Sequence, residues 1–179
     1  RVISAIIPTH IFGHPVEIKK MIKLSKKYNF KIIEDAAEAF GSFYNNKHAG
    51  TFGDIGILSF NGNKIVTAGA GGAIITQNKK YATLAKHLTT TAKNIDNYQI
   101  SHDMIGYNYR LSNVNAAIGC AQIDQIKKFL KSKRKILKKY QQAFKSIPNV
   151  KIFVEPNNCK SNYWLQTLVL KNANSKFRD

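Results

Sequence analysis

Two hydrophobic periods alternate along this chain. Residues 2–8 form a short apolar run with β-branched content and read as a buried strand. Residues 31–35, Lys-Ile-Ile-Glu-Asp, are a second short run that ends in acid. Residues 54–60 and 71–76 read as two further strands, with a Gly-rich loop between them. The helical period takes over in residues 15–28: Pro15 opens the segment, and Val16, Ile18, Ile22 and Leu24 oppose a lysine-rich face. Residues 79–88 are helical by the same pattern. Residues 92–105 are polar without a clear period and read as a loop. Residues 112–144 read as one long helix or two in series, with Ile118, Ile126, Leu130, Leu137, Tyr140 and Phe144 near one stripe. A last strand is expected over 164–170.

This strand–helix alternation predicts an α/β layer sandwich. Pro148 and Pro156, followed by a new strand, suggest passage into a second unit. The expected division is 1–111 for the larger part, 112–147 for the helical connection and 148–179 for the start of a smaller C-terminal domain. The chain lacks an initiator Met, starts directly in a strand-like run and ends just after another, so it reads as a piece of a longer protein.

Composition changes this picture little. Of 179 residues, 28 are Lys or Arg and 10 are Asp or Glu, a formal net charge of +18. Such charge would suit a polyanionic partner. Yet 24 of the 28 basic residues are Lys, whereas base and phosphate forks usually use Arg. No base-reading or aromatic stacking string is present, so nucleic acid is not the expected partner. The lysines of residues 127–139 read as a solvated helix face. No apolar run nears the roughly 18 residues of a membrane span and no signal peptide is recognisable, so a cytoplasmic protein is expected. Cys120 and Cys159 lack metal-site or disulfide-framework spacing, and Gly13 and Pro15 prevent His10 and His14 from sharing a helix face.

Open α/β sheets present functional groups at the carboxyl ends of their strands. Asp35 and Ser59 stand at two such ends, and Lys64 follows Ser59 in the string Ser-Phe-Asn-Gly-Asn-Lys. A partly desolvated lysine is a usable amine nucleophile. Pyridoxal phosphate needs that amine, an acid for its ring nitrogen and donors for its phosphate. On spacing alone, Asp35 could equally cap a turn, Ser59 could satisfy a strand end and Lys64 could be solvated. There is no GxxxxGK[ST] string, and Gly69-Ala-Gly-Gly72 precedes a strand rather than a helix, which excludes the two common nucleotide loops.

The ordered strings narrow these choices. His10-Ile-Phe-Gly13, Glu34-Asp-Ala-Ala-Glu-Ala-Phe-Gly-Ser42, Gly50-Thr-Phe-Gly-Asp54, Ser59-Phe-Asn-Gly-Asn-Lys64, Gly71-Gly72 and Gly106-Tyr-Asn-Tyr-Arg110 occur in that order. Together they resemble the DegT/DnrJ/EryC1/StrS family, nucleotide-sugar aminotransferases with the aspartate-aminotransferase fold. The resemblance implies a fold-type-I three-layer sandwich with a mixed sheet. It implies that Lys64 is the Schiff-base lysine and the catalytic residue, that Asp35 is the acid on the pyridine nitrogen, and that Ser59 is a phosphate ligand. Asn108 matches an asparagine that reaches the cofactor phosphate of the neighbouring subunit, so a homodimer with its site at the interface is implied. Glu38 matches a position near the cofactor ring that is Gln or His in many members, so glutamate there is a departure.

The implied substrates are L-glutamate and a nucleotide-linked 4-keto-6-deoxy sugar, for surface polysaccharide or glycan synthesis. Residues 59–64 and 105–111 resemble enzymes of legionaminic acid, bacillosamine and perosamine synthesis. Residues 88–93 lean toward the legionaminic type, which uses a UDP-linked N-acetyl sugar. Members that act as dehydratases carry His in place of the lysine, and Lys64 favours amino transfer. A regulator or dehydratase of the same fold is the alternative, and a basic nucleic-acid-binding module is a more distant one. The family's upstream Gly/Ser/Thr phosphate-gripping segment and ring-stacking aromatic are not recognisable here, so weak cofactor binding by this stretch alone is expected.

Overall fold

The computed structural model describes residues 2–96 and 99–171. Its central sheet has four strands in the order β1-β2-β5-β6. These are β1 (Ala5–Ile6), β2 (Lys31–Asp35), β5 (Ile55–Ser59) and β6 (Gly72–Ile75). β1, β2 and β5 run parallel, with Ile33 opposite Ile55 and Asp35 opposite Ile57. β6 returns antiparallel, with Ser59 opposite Gly72. The sheet is therefore mixed. A core cluster of Ala36, Ala39, Ala49 and Leu58 packs with Phe40, Phe60, Ala73 and Ile75.

The first strand is shorter than its apolar run suggests. Val2, Ile3 and Ile7 are exposed, because β1 is an edge strand covered on one side only by β2.

Helix α1 (Ile18–Tyr28) buries Ile18 and ends on Asn29, whose left-handed backbone (φ 54°) closes the last turn onto the Ser25 carbonyl. It starts three residues later than Pro15 predicts. The Val16 N–H is donated to the His10 Nδ1 at 3.1 Å, so this segment wraps around a histidine before the helix can begin. Helix α2 (Lys79–Thr89) is capped by Asn78, whose side chain accepts the Lys80 and Tyr81 N–H groups.

The polar stretch read as a loop over 92–105 holds an antiparallel pair instead, β7 (Lys93–Asp96) with β8 (Gln99–His102). Its pairing is local, and every residue of β8 is exposed, so burial imposes no two-residue period on that strand. A second hairpin, β3 (Phe43–Tyr44) with β4 (Lys47–His48), lies within the Gly-punctuated stretch. Asn45 and Asn46 turn it with φ of 46° and 61°, the left-handed pair that a two-residue hairpin needs.

The long helical segment is two helices, α3 (Asn113–Asp124) and α4 (Ile126–Ala143), broken at Gln125. Ser112 caps α3. α4 lays Ile126 and Leu130 over Gly41, where an added Cβ would stand 3.1–3.3 Å from their methyl carbons. Its lysine-rich face is not wholly solvated. Lys133 donates to the Trp164 carbonyl at 2.9 Å, and Arg134 grips the Glu155 carboxylate at 2.9 and 2.8 Å.

Beyond α4, β9 (Val150–Ile152) pairs with β11 (Leu168–Leu170). Residues 164–167, expected to begin that last strand, do not join it, because they follow a segment that turns back to the main body. There β10 (Cys159–Lys160) adds to β3, and the Asn158 carbonyl accepts the Asn45 N–H. Asn162 then fits against Gly13, whose φ of +87° and missing side chain leave room for it; a Cβ there would collide with the Asn162 Oδ1.

Candidate functional site

The site begins with two neighbouring acids on β2. Successive side chains of a strand point to opposite faces, so Glu34 and Asp35 part company. Glu34 is fully buried. Its Oε1 accepts the Phe52 and Gly53 N–H groups, each at 2.6 Å, while its Oε2 accepts the Gly50 N–H at 2.9 Å and pairs with the His10 Nε2 at 3.0 Å. The Val16 N–H already occupies the His10 Nδ1, so Nε2 carries the hydrogen directed at Glu34. Burial alone would push the Glu34 carboxyl upward. The hydrogen bonds from His10, Gly53 and Gly50 outweigh it and hold the group below the ordinary carboxylate range.

Asp35 faces the other way, at the carboxyl end of β2. Its Oδ1 accepts the Ala37 N–H at 3.1 Å, and its Oδ2 receives the Thr9 hydroxyl at 3.4 Å. One oxygen thus closes a tight local turn, and the other, only loosely engaged, keeps an open lone pair. Ser59 ends the adjacent strand β5. Its Oγ accepts the Asn61 N–H at 3.3 Å, and among the described residues its hydroxyl donates to no protein group. For both residues the local turn is real and leaves capacity for a further partner.

Lys64 lies in the loop after β5, where its N–H donates to the Asn61 carbonyl at 3.0 Å. Its side chain is 14% exposed and its Nζ stands 3.9 Å from the Glu38 Oε1. The Glu38 Oε2 is fixed by the Phe12 N–H at 2.6 Å. Phe12 takes a left-handed backbone (φ 55°) within a single turn of 3-10 helix, residues Ile11–Gly13. Lys64 and Glu38 are therefore neighbours, although the string that contains Glu38 precedes Lys64 by more than twenty positions.

Asn108 belongs to a different stretch of the chain, between β8 and α3. It is exposed, bridges to Thr90 through its backbone, and is flanked in sequence by Tyr107 and Tyr109, whose rings stack on each other. It does not cap the following helix, which uses Ser112.

Three side chains that carry no local signal complete the site, and all come from the returning segment. Trp164 places its ring 4.0 Å from the Lys64 Nζ and donates its indole N–H to the Asn63 carbonyl at 2.7 Å. Asn162 donates to the Glu38 and Phe40 carbonyls at 2.8 and 2.9 Å. Ser161 pairs with the His14 Nδ1 at 2.8 Å. Burial pushes the His14 imidazole below its ordinary value, against the opposing pull of Glu155. Only the long-range fold brings Trp164 to Lys64, Asn162 to Glu38 and Ser161 to His14. A cavity of about 860 Å³ lies elsewhere, between β6, α2 and residues 109–112, and none of the five candidate side chains lines it.

A mixed sheet with an acid and a hydroxyl at its strand ends, and a half-enclosed lysine after β5, fits the α/β sandwich of fold-type-I aminotransferases. The solved aminotransferase PseC of Helicobacter pylori, involved in the biosynthesis of pseudoaminic acid, shares it with a TM-score of 0.89 at 25% identity, over 94% of this chain and 46% of that one. The chain belongs to the DegT/DnrJ/EryC1/StrS aminotransferase family, whose pattern matches residues 1–179. It is 38% identical to the GDP-perosamine synthase of Escherichia coli over 97% of this chain and 47% of that protein. It is 33% identical to the GDP-perosamine synthase of Vibrio cholerae over 98% of this chain and 47% of that protein. The chain thus spans about half the length of the curated relatives it matches.

Proposed function

We propose that the whole protein is a pyridoxal-phosphate-dependent aminotransferase that moves an amino group from L-glutamate to a nucleotide-linked 4-keto-6-deoxy sugar, for surface polysaccharide or glycan synthesis. The observation that carries this reading is the half-enclosed amine of Lys64, set beside Glu38 in the loop that follows β5. The residues present fit the cofactor. Lys64 supplies the amine, Asp35 a carboxylate with a free lone pair for the ring nitrogen, and Ser59 a hydroxyl that, among the described residues, has no protein acceptor and can serve the phosphate. When bound, pyridoxal phosphate supplies an electron sink for the carbon that gains or loses the amine.

The protein's own residues orient and move protons around that sink. Asp35, fixed by Ala37 and Thr9, holds its carboxyl group at the strand end. Lys64, once its amine is free, is the base and acid that shuttles the proton. Glu38 cannot swing freely, because Phe12 fixes one of its oxygens, so it presents the other at a set position beside Lys64. We assign Asn108 to the phosphate of a second subunit's site, which makes the protein a homodimer; its exposure between two exposed tyrosines supports this. The division into residues 1–111, 112–147 and 148–179 remains our reading of the chain, with the qualification that 159–164 pack back on the first part.

No helix among the described residues is long and apolar enough to cross a membrane, and we place the enzyme in the cytoplasm with its nucleotide-linked substrate. Two relatives are GDP-perosamine synthases, so a GDP-linked keto-sugar is the first substrate to test and a UDP-linked N-acetyl keto-sugar the second. Borohydride reduction of the yellow holoenzyme should fix the cofactor on the peptide containing Lys64, and glutamate should then drive amination of one of these sugars. A label on another lysine, or no glutamate-dependent amination of either sugar, would refute the proposal.

A further inference from the structure

We propose that Trp164 is a positioning residue for Lys64, its indole face holding the charged amine whenever that amine is not engaged by the cofactor. The inference rests on the reading of Lys64 as the reacting lysine. A lysine that alternates between a bound and a free state must be kept near the reacting atoms when free, and a half-enclosed ammonium is costly unless something replaces its water. Glu38 does this only in part: its nearer oxygen is 3.9 Å away and its other oxygen belongs to Phe12. The ring of Trp164 lies at 4.0 Å, well within the roughly 6 Å over which an aromatic face attracts a cation.

The ring is itself held. Its N–H is anchored on the carbonyl of Asn63, the residue before Lys64, at 2.7 Å. Its backbone N–H donates to the Asn162 Oδ1 at 2.8 Å, and its carbonyl accepts the Lys133 Nζ at 2.9 Å. Phe12 packs at 6.5 Å between ring centroids. Asn162 also bonds the Glu38 carbonyl, so one returning segment sets both neighbours of the amine. Trp164 is 8% exposed, and its indole N–H is already spent on Asn63. The surface it offers to Lys64 is the π face.

Trp164 is the single tryptophan of this sequence, which makes it a direct probe. The whole protein, stripped of cofactor, would be labelled with 5-fluorotryptophan, and the Trp164 resonance identified by its loss in Trp164→Phe. Lys64→Met should move that resonance beyond its linewidth, whereas Lys79→Met, on an exposed helix start, should leave it in place. An unmoved resonance in Lys64→Met overturns the proposal, and this arm does not depend on any Trp164 variant being active.

The second arm reads the amine itself, by acylation in the cofactor-free protein and mass spectrometry of the Lys64 peptide. Trp164→Leu keeps an apolar neighbour but no π face. It should speed acylation roughly 5- to 30-fold, with Trp164→Phe restoring most of the protection. Equal rates in wild type and Trp164→Leu overturn the proposal. The borohydride experiment separates the two readings. A label elsewhere with a moved resonance removes the function and leaves the placement; a label on Lys64 with an unmoved resonance removes the placement alone.

Discussion

Glu34→Gln is the substitution the structure predicts to be most disproportionate to its size. The change replaces one carboxylate oxygen with an NH₂ group in a site where four donors converge: the N–H groups of Gly50, Phe52 and Gly53, and the His10 Nε2. In either orientation the amide serves two of them and turns its own donors on the other two. His10 cannot relieve the conflict by moving its hydrogen to Nδ1, which already accepts from Val16. A buried donor left unsatisfied costs about 1–3 kcal/mol, so two of them put the loss at roughly 2–6 kcal/mol. The whole stability of a domain is of the order of 5–15 kcal/mol.

The assay is denaturant unfolding of wild type and variant across pH. The depressed Glu34 carboxyl means that the unfolded chain binds the proton more readily than the folded one. Its contribution is complete above the ordinary carboxylate value of about 4.3 and is lost as pH falls through the lower, folded value. The gap between wild type and Glu34→Gln should therefore be wide at neutral pH and close progressively in acid. A neutral-pH difference below about 0.5 kcal/mol, or a gap independent of pH, would refute the reasoning.

Two other substitutions test the returning segment. His14 is buried, its Nε2 has no partner among the described residues, and its imidazole is held below the ordinary value by that burial. It contributes stability above about pH 6.5 that fades as pH falls toward the folded value, so His14→Phe should flatten the slope of stability between pH 7 and pH 5, measured by thermal unfolding. Arg134 makes three hydrogen bonds, two to Glu155 and one to the Ser161 carbonyl at 3.0 Å. Arg134→Lys can keep only part of that fork. With the pair about a third exposed, the cost should be of the order of 1–2 kcal/mol in a urea titration.

The strands that carry the site were legible because each imposes its own pattern. Lys31–Asp35 and Ile55–Ser59 are short apolar runs with a functional group at the end, and parallel neighbours leave little else for such runs to be. The hairpin over Phe43–His48 carried a signal in Asn45-Asn46, a pair suited to left-handed turns. The pair β7–β8, whose second strand is exposed throughout, imprinted no legible periodicity. The buried half of the site was illegible for a different reason. Glu34 stands in a recognised string, but its role depends on three backbone N–H groups sixteen to nineteen positions away, and backbone donors leave no mark on a sequence. Trp164 reaches Lys64 across a hundred residues, where an aromatic in a strand-like run reads simply as core.

The division of labour on β2 leads to the sharpest contrast available. Glu34 and Asp35 are adjacent, both acidic and both hydrogen-bonded, yet strand geometry sends one into the backbone of residues 50–53 and the other to the strand end. Asp35→Asn should therefore be nearly silent in folding. The Asn Oδ1 can still accept the Ala37 N–H, and its NH₂ can donate to the Thr9 hydroxyl, which reverses its role from donor to acceptor. Unfolding free energy should stay within about 1 kcal/mol of wild type. If Asp35 supports the ring nitrogen, glutamate-dependent amination should nonetheless fall by on the order of 100-fold or more, as when one group aimed at developing charge is removed. An Asp35→Asn protein as unstable as Glu34→Gln would assign Asp35 to the fold. One with full activity would leave the strand end without its proposed chemistry.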